Sequence, residues 1–249
     1  MHRHALSDEQ WSRLRTLLPK RRQGPKSKIG DREFINAVLF RAKAGVPWRD
    51  LPERFGPWKS IYNRFANWAD RGVWELIFKE LQLEHDEIGS IIDGTVGPSA
   101  SGCFGRKGGI QCNALGRSRG GFSSKLHALV DTQGRPIHVA LTPGNMHDSM
   151  MAEQLIAHAR GRALIADTGY DADRIVAAVR EHGMKPVIHC NPTRKVNRRL
   201  DRKLYRIRYM VEVFFHHIKR FRAVATRYEK TPRNYLALVQ LVCAFVWLS

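Results

Sequence analysis

The sequence predicts a chain of two parts, an all-helical module over residues 1–83 and a mixed-sheet α/β core over residues 84–249. In the first part, apolar residues recur at helical spacing and no strand-like alternation interrupts them. In the second part, short apolar runs, two of which end in Asp, alternate with helical segments. The chain is long enough for each part to bury an apolar core.

The first helix of the helical module begins at a recognisable signal. Ser7 followed three residues later by Gln10 has the spacing of a capping box, and Pro19 ends the helix. Asp31 is expected to cap a second helix, which the stretch 45–52 breaks before starting a short helical turn.

The remaining helices, over residues 57–70 and 73–81, complete a layout of helix, break, short helix, break and helix. This layout is typical of a helix-turn-helix fold. Lys59, Asn63 and Arg64 lie on faces of the third helix that its apolar residues do not use, where such side chains can reach base edges or phosphates. The alternative is a plain helical bundle with a solvated polar face.

The second part begins with strand signals. The apolar run 88–93 ends in Asp93, and the later run 163–167 ends in Asp167. Between them, residues 125–131 and 136–142 are strand-like, and the turn 132–135 joins them as a hairpin. Further helices and strands are predicted at 148–159, 173–182, 186–189 and 203–219. This order indicates a mixed sheet.

Charge narrows the class of partner. The chain carries 42 Lys and Arg against 23 Asp and Glu, a net charge of +19. Residues 191–230 alone contain 13 basic and 3 acidic side chains. Such an excess indicates a polyanionic partner, either nucleic acid or an anionic membrane surface. The apolar stretch 235–248 is too short to span a bilayer, and we expect a cytoplasmic protein with no membrane role.

The predicted helix 203–219 has two distinct faces. At about 100° per residue, Tyr205, Arg208, Glu212 and Lys219 project within an arc of roughly 60°, apart from the apolar residues. One carboxylate framed by a phenol and two cations is what a metal-dependent site that handles polyanions would present.

Asp93 and Asp167 could act together with Glu212. If their strands are neighbours, the two aspartates lie a few ångströms apart, which is unfavourable unless a cation lies between them. Two Mg²⁺ ions roughly 3.5–4 Å apart would relieve this repulsion and clamp a phosphodiester, with Glu212 completing the oxygen ligands. Taken singly, each strand-terminal Asp is more typical of a turn or a cap.

These motifs carry a family resemblance. The chain resembles bacterial insertion-sequence transposases with a DDE triad, specifically the insertion-sequence-five family. The spacing Tyr205-x2-Arg208-x3-Glu212-x6-Lys219 matches the signature of that family. Further similar blocks are 91–95, 114–121, 125–127, 141–144, 147–149, 166–171, 225–230 and, in the N-terminal part, 45–58. The resemblance therefore covers essentially the whole chain.

The resemblance implies an RNase H-like catalytic core behind a helix-turn-helix-type DNA-binding module. It implies that Asp93, Asp167 and Glu212 hold two Mg²⁺ ions, with Mn²⁺ as a substitute. It further implies that Tyr205, Arg208 and Lys219 touch the DNA backbone beside the cut. The basic loop with Arg117 and Arg119, followed by Lys125, is expected to contact DNA backbone, although a solvated turn is the alternative.

The function implied is transposition. The enzyme would cut the ends of its insertion sequence and join the 3′-OH to target DNA, with double-stranded terminal inverted repeats and target DNA as partners. Because two ends must meet, we expect a homodimer on DNA, working in the bacterial cytoplasm at the nucleoid. Two alternatives stay open: a nuclease of the same core fold that only cuts, and a non-catalytic DNA-binding protein.

Overall fold

The computed structural model describes residues 5–19, 28–82, 86–100, 113–118, 121–195 and 198–249. Within these residues the chain forms two compact units. The first unit contains the described residues up to Gln82, Ala100, and Ile218–Ser249. The second unit contains the other described residues between positions 83 and 217. Residues 218–249, which the sequence places with the core, therefore pack with the N-terminal helices.

The predicted helices and strands appear in the expected order, with two differences. The strand that contains Asp93 continues to Pro98, and residues 116–118, predicted as part of a flexible basic loop, form a short strand because they pair with residues 121–123. The helices are α1 (Asp8–Arg15), α2 (Asp31–Ala44), α3 (Trp58–Asp70), α4 (Val73–Glu80), α5 (Ala152–Ile156), α6 (Asp173–Glu181), α7 (Arg202–Tyr205), α8 (Tyr209–Lys219), α9 (Arg222–Ala225) and α10 (Pro232–Leu248). The strands are β1 (Gly89–Pro98), β2 (Gly116–Ser118), β3 (Gly121–Asp131), β4 (Pro136–Pro143), β5 (Ala163–Ala166) and β6 (Lys185–Ile188).

The helix ends of the first unit follow local chemistry. The predicted capping box is present, because Ser7 Oγ accepts from Gln10 N at 3.1 Å and Gln10 Oε1 accepts from Ser7 N at 3.0 Å. The predicted cap of α2 is wrong: the capping position is Gly30, and Asp31 is the first helical residue. The Asp31 carboxylate pairs with Arg64 instead, and its charge still favours the helix N-terminus.

The core of the first unit is aromatic. Phe34 of α2, Phe65 and Trp68 of α3 and Trp74 of α4 form ring pairs with centroids 5.0–5.9 Å apart. The apolar helix α10 packs mainly on α4. Its burial explains why this stretch is so apolar, and none of the described helices has the length and apolar character needed to cross a membrane.

The second unit is built on one six-stranded mixed sheet. Strands β1, β3 and β4 form an antiparallel meander, with the short β2 also pairing with β3. Strand β5 lies parallel to the other edge of β1, and β6 lies parallel to β5. The spatial order β4-β3-β1-β5-β6 is that of an RNase H-like core, and the predicted fold class is confirmed.

The basic segment 202–219 differs from the single predicted helix. Helix α7 passes into a 3₁₀ turn at Arg206–Arg208 before α8 begins. A 3₁₀ turn advances about 120° per residue, so the uniform projection of side chains does not extend across it. Arg208 and Glu212 still meet, because four residues of nearly helical backbone separate them.

Candidate functional site

Two aspartates lie side by side because of the strand register. Strands β1 and β5 are parallel neighbours, with Ile91 paired to Ile165. Asp93 and Asp167 each follow these paired residues by two positions, so they sit at equivalent places on adjacent chain segments. Neighbouring strands are about 4.8 Å apart, which brings the two carboxylates to the same edge of the sheet.

Backbone N–H groups orient both carboxylates. Asp93 Oδ1 accepts from Gly94 N at 2.7 Å, and Asp167 Oδ1 accepts from Gly169 N at 2.9 Å. The second contact caps the 3₁₀ turn Thr168–Tyr170. Asp167 therefore has the capping role that is common for an Asp at the end of a strand. This role uses one carboxylate oxygen, and the second oxygen can bind another partner.

The Asp93 carboxyl has a perturbed acidity. Its pKa is raised to about 6, mainly by burial and also by the neighbouring charges of Asp167 and Asp148. The Gly94 N–H and Arg208 act in the opposite direction without cancelling the effect. A buried carboxyl that resists ionisation beside two other acids is a position where a bound cation would be stabilised.

Arg208 connects the third acidic residue to this pair. Its Nη1 donates to Asp93 Oδ2 at 3.2 Å, and its Nη2 donates to Glu212 Oε1. Glu212 extends from the first turn of α8 and is about half exposed. One guanidinium therefore bridges carboxylates that are 119 positions apart in the sequence (212 − 93).

Tyr205 belongs to the same cluster. Burial raises the pKa of its phenol, while the Arg208 charge lowers it and the charges of Asp167 and Asp93 raise it. These influences mean that the phenol, the guanidinium and both aspartates share one environment. The arrangement reproduces the grouping that the Tyr-Arg-Glu spacing predicts.

Asp148 joins the cluster, although the sequence assigned it no role. Its Oδ2 accepts from Lys125 Nζ at 3.1 Å, and its Oδ1 lies 3.5 Å from His127 Nδ1. A Cβ built on Gly94 would lie 2.3 Å from Asp148 Oδ1, so any other residue here would have to displace this carboxylate. Asp148 lies in the block 147–149, which resembles the transposase family. The local sequence pattern did not indicate where that block would pack.

His127 supports Asp148 from the interior of the sheet. The side chain is fully buried, and its Nε2 lies 2.8 Å from Thr142 Oγ1 on the adjacent strand. Burial lowers its pKa to about 4, so the imidazole is neutral at neutral pH. His127 therefore acts on Asp148 as a neutral neighbour, and Lys125 provides the positive charge.

The oxygen donors of this cluster suit a hard divalent cation. Asp148 Oδ1 and the Tyr170 hydroxyl are buried and make no hydrogen bond to the described residues. The charges of Asp148, Asp93 and Asp167 all raise the pKa of Tyr170, after burial, which is the largest cause. Among the described residues no three His, Cys, Asp or Glu side chains are arranged as a complete metal-binding group. Glu212 faces Arg208, so it would have to turn to act as the third ligand.

The predicted DNA-contacting residues have different surroundings. Lys59 and Asn63 are exposed on α3 and available to a ligand. Arg64 lies over the rings of Phe34 and Trp68, 4.2 and 4.9 Å from their centroids, and pairs with Asp31. The Arg64 guanidinium is therefore engaged within its own unit.

The predicted basic loop is described only in part. Arg117 is exposed on β2, and Arg119 lies outside the described residues. The Lys125 ammonium, only 13% exposed, is paired with Asp148. Lys219, at the end of α8, is half-buried, and burial lowers the pKa of its ammonium.

Comparison with known proteins gives consistent matches. A family model described as "Transposase DDE domain" matches residues 84–247, and one described as "Putative transposase of IS4/5 family" matches residues 6–78. A similar sequence, "Putative transposase for insertion sequence element IS6501" of Brucella ovis, is 38% identical over 129 residues, which is 51% of this chain and 99% of the relative. The "Putative transposase for insertion sequence element IS402" of Burkholderia cepacia is 30% identical, over 54% of this chain and 66% of the relative.

Among solved structures, the Mos1 transposase paired-end complex with left transposon end aligns with 84% of this chain and 82% of that chain. The sequence identity is 11% and the TM-score is 0.28, so this likeness carries no argument about the site.

Proposed function

The chain belongs to the DDE transposases of insertion sequences, and from this premise we propose that it cuts DNA at the ends of its own insertion sequence and joins the freed 3′-OH to target DNA. One observation carries the proposal. Asp93 and Asp167 share an equivalent register on neighbouring parallel strands, and Arg208 ties Glu212 to Asp93.

The three carboxylates are the proposed ligands of two Mg²⁺ ions, for which Mn²⁺ would substitute. Magnesium prefers oxygen ligands from one or two carboxylates together with water and phosphate, and the cluster offers such oxygens. When bound, the ions would lower the pKa of the attacking water and neutralise charge on the phosphate. Arg208 would then exchange its carboxylate contacts for a DNA phosphate.

The proposed chemistry is two successive phosphoryl transfers. In the first, a water oxygen bonds to the phosphorus at the element's end and releases a proton to solvent, while the bond from phosphorus to the 3′ oxygen breaks and that oxygen takes up a proton to become a 3′-OH. In the second, the freed 3′-OH attacks a target phosphorus in line and releases its proton, and the displaced 3′ oxygen of the target takes up a proton. Asp93, Asp167 and Glu212 position the reacting groups, while Tyr205, Arg208 and Lys219 hold the backbone beside the cut.

The helical module over residues 1–83 is proposed to recognise the terminal inverted repeats. Lys59 and Asn63 support this, because both are exposed on the third helix of the helix-turn-helix-like layout. Arg64 would orient that helix from within. Since two ends must be brought together, we propose that the protein acts as a homodimer on double-stranded DNA at the bacterial nucleoid.

The test is Mg²⁺-dependent cleavage and joining of a labelled duplex that carries the terminal repeats flanking this gene. Wild-type protein should cut at the repeat tip and form joined product. Glu212→Gln removes a carboxylate ligand and keeps the size of the side chain, so it should abolish both products and leave duplex binding nearly intact. Lys219→Ala should weaken binding and lower its salt dependence by about one phosphate contact.

The outcomes separate the alternatives. Cutting without joining would indicate a nuclease. Specific binding without cutting would indicate a non-catalytic DNA-binding protein. Full cutting by Glu212→Gln would overturn the assignment of the site.

A further inference from the structure

A groove runs along the open edge of the sheet. It has a volume of about 1090 Å³ and lies between strand β6 and the segment 198–202. Within the part of the chain that the structure describes, β6 is the last strand of the sheet and pairs only with β5. The groove is therefore a surface channel beside an edge strand, separate from the carboxylate cluster but within the same unit.

The lining of the groove is strongly basic. Lys185, Arg199 and Arg202 line it and are exposed. Asp201 is its one carboxylate among the described lining residues, and it pairs with Lys185 Nζ at 2.6 Å. Arg199 and Arg202 therefore bring two positive charges that this acid does not balance.

Arg198 fixes one wall of the groove. It pairs with the buried Asp171 and, at 2.7 Å, with Asp173 of α6. The charge of Arg198 is therefore neutralised by these aspartates. The same ion pairs hold the segment that carries Arg199 in place within the second unit. This part of the groove wall is therefore held by ion pairs, one of them to a buried carboxylate.

One end of the groove meets the candidate active site. His189, which lines the groove, follows β6 and donates its backbone N–H to Ala166 O, next to Asp167. Its ring lies 5.4 Å from the ring of Tyr205. The charges of Asp167 and Asp93 contribute to raising the pKa of Tyr205, so its ring lies near both carboxylates. The His189–Tyr205 pair therefore connects the carboxylates with the basic groove.

We propose that this groove binds a single-stranded segment of DNA that adjoins the cut, with phosphates on Arg199 and Arg202 and a base on the His189–Tyr205 pair. A basic channel that tracks the backbone, together with aromatic rings on which bases stack, is the usual chemistry of single-strand binding. The aromatic pair favours a single strand over a duplex, because an unpaired base can leave its neighbours and stack on a ring. This inference rests on the proposed function and extends it by naming single-stranded DNA beside the cut as the ligand of the groove.

A peptide strand added to the edge of β6 fits less well. The backbone N–H of Lys185 donates to Arg162 O, just before β5, and that of His189 donates to Ala166 O of β5. By alternation, position 186 faces away from β5, and Pro186 has no N–H to offer a new strand. The positive charge of the groove also matches phosphate better than a neutral peptide.

The experiment compares two labelled duplexes with the terminal repeats, one blunt and one with a single-stranded tail beside the cut site. Binding by the full chain is measured against salt concentration in EDTA, so no strand is cut. Arg199→Glu with Arg202→Glu is the test variant. Arg162→Glu is the matched control, because this exposed arginine precedes β5 at the end opposite Asp167.

In wild-type protein and in Arg162→Glu, the tail should strengthen binding about fivefold or more, as a stacked base would. In the double variant this advantage should vanish, and the salt slope for the tailed duplex should fall by about 1.4, or ~0.7 for each lost single-strand phosphate contact. Arg199→Lys should keep both. A photoreactive thymidine in the tail should crosslink to peptides that contain His189 or Tyr205.

Two results would overturn the inference: a tail advantage that survives the double variant, or crosslinks that map elsewhere. Either result, together with normal cutting and joining by wild-type protein, would remove the groove assignment and keep the proposed function. If tail binding depends on Arg199 and Arg202 but the wild-type protein neither cuts nor joins DNA, the groove assignment stands and the proposed function is wrong.

Discussion

Gly94 leaves the space that the Asp148 carboxylate occupies, because a Cβ at position 94 would lie 2.3 Å from Asp148 Oδ1. Gly94 directly follows Asp93 on β1. Because Gly94 has no side chain, the Asp148 carboxylate can lie in the space beside Asp93. The close approach of this carboxylate accounts for a glycine at this point of the strand, where the flexibility of glycine would otherwise only weaken the sheet.

Gly94→Ala should therefore displace Asp148 and cost about 1–3 kcal/mol of the free energy of unfolding, as expected for overpacking. Strand cutting should fall with it. Denaturant unfolding measures the cost, and the same substitution in an Asp148→Ala background provides the control. The cost should shrink there, because the clashing carboxylate is gone. An equal cost in both backgrounds would contradict the contact.

Asp93 should make stability depend on pH when no divalent metal is present. Its pKa is about 6 in the folded protein against 3.8 ordinarily, so the folded state binds the proton more tightly. The stabilisation is complete below about pH 4 and is lost as the pH rises through about 6, by at most about 3 kcal/mol. Denaturant unfolding in EDTA should therefore show wild type losing stability relative to Asp93→Asn across this range. A constant difference between the two proteins would contradict the assigned acidity.

Arg208 should stabilise the protein mainly when metal is absent. Arg208→Ala removes the positive charge between Asp93 and Glu212, and in EDTA it should lower the free energy of unfolding by about 2 kcal/mol. Saturating Mg²⁺ should reduce this loss, because a bound cation screens the same carboxylates. Arg174→Ala, which breaks an exposed pair with Glu153, should cost less than about 1 kcal/mol with or without Mg²⁺. Identical losses of Arg208→Ala in both conditions would argue against metal binding at this cluster.

Glu229 should be essential to the stability of the first unit. Its Oε1 accepts from Arg41 and from Trp48 Nε1, both at 2.9 Å, and the carboxylate and the guanidinium are buried. Glu229→Ala would leave the Arg41 charge unpaired, so the free energy of unfolding should fall by about 3–5 kcal/mol.

Lys79→Ala is the matched control for Glu229. It breaks an exposed pair with Glu75 within α4 and should cost only about 0.3–0.5 kcal/mol. Thermal and denaturant unfolding can compare the two variants directly. A small effect of Glu229→Ala would mean that Arg41 finds another partner.

Much of the site followed from local signals. The strand segments that lead to Asp93 and Asp167, the hairpin at 132–135 and the capping box at Ser7 are all visible as short-range patterns, because periodicity reports which face of each segment is buried. The apolar run did not reveal that β1 continues beyond Asp93 to Pro98, because that part of the strand is held by pairing with β3. The grouping of Tyr205, Arg208 and Glu212 that their spacing predicts is also present despite the 3₁₀ turn, since residues three or four apart on nearly helical backbone are neighbours.

Other features depended on distant packing. Arg64 and Lys125 look like exposed DNA contacts in the sequence, yet Asp31 and Asp148 engage them in the structure. No local pattern can reveal this, because the partners come from other segments. Asp148 itself was missed for the same reason.

The sequence by itself determined the main succession of helices and strands, the mixed α/β class, the basic charge and which carboxylates are candidates for the site, because these depend on composition and on spacing along one segment. The tertiary structure alone decided that β5 joins β1 in parallel, that Arg208 spans Asp93 and Glu212, that Asp148 enters beside Gly94 and that residues 218–249 pack with the N-terminal helices. These are contacts between segments far apart in the chain, and their free energy comes from burying many residues at once.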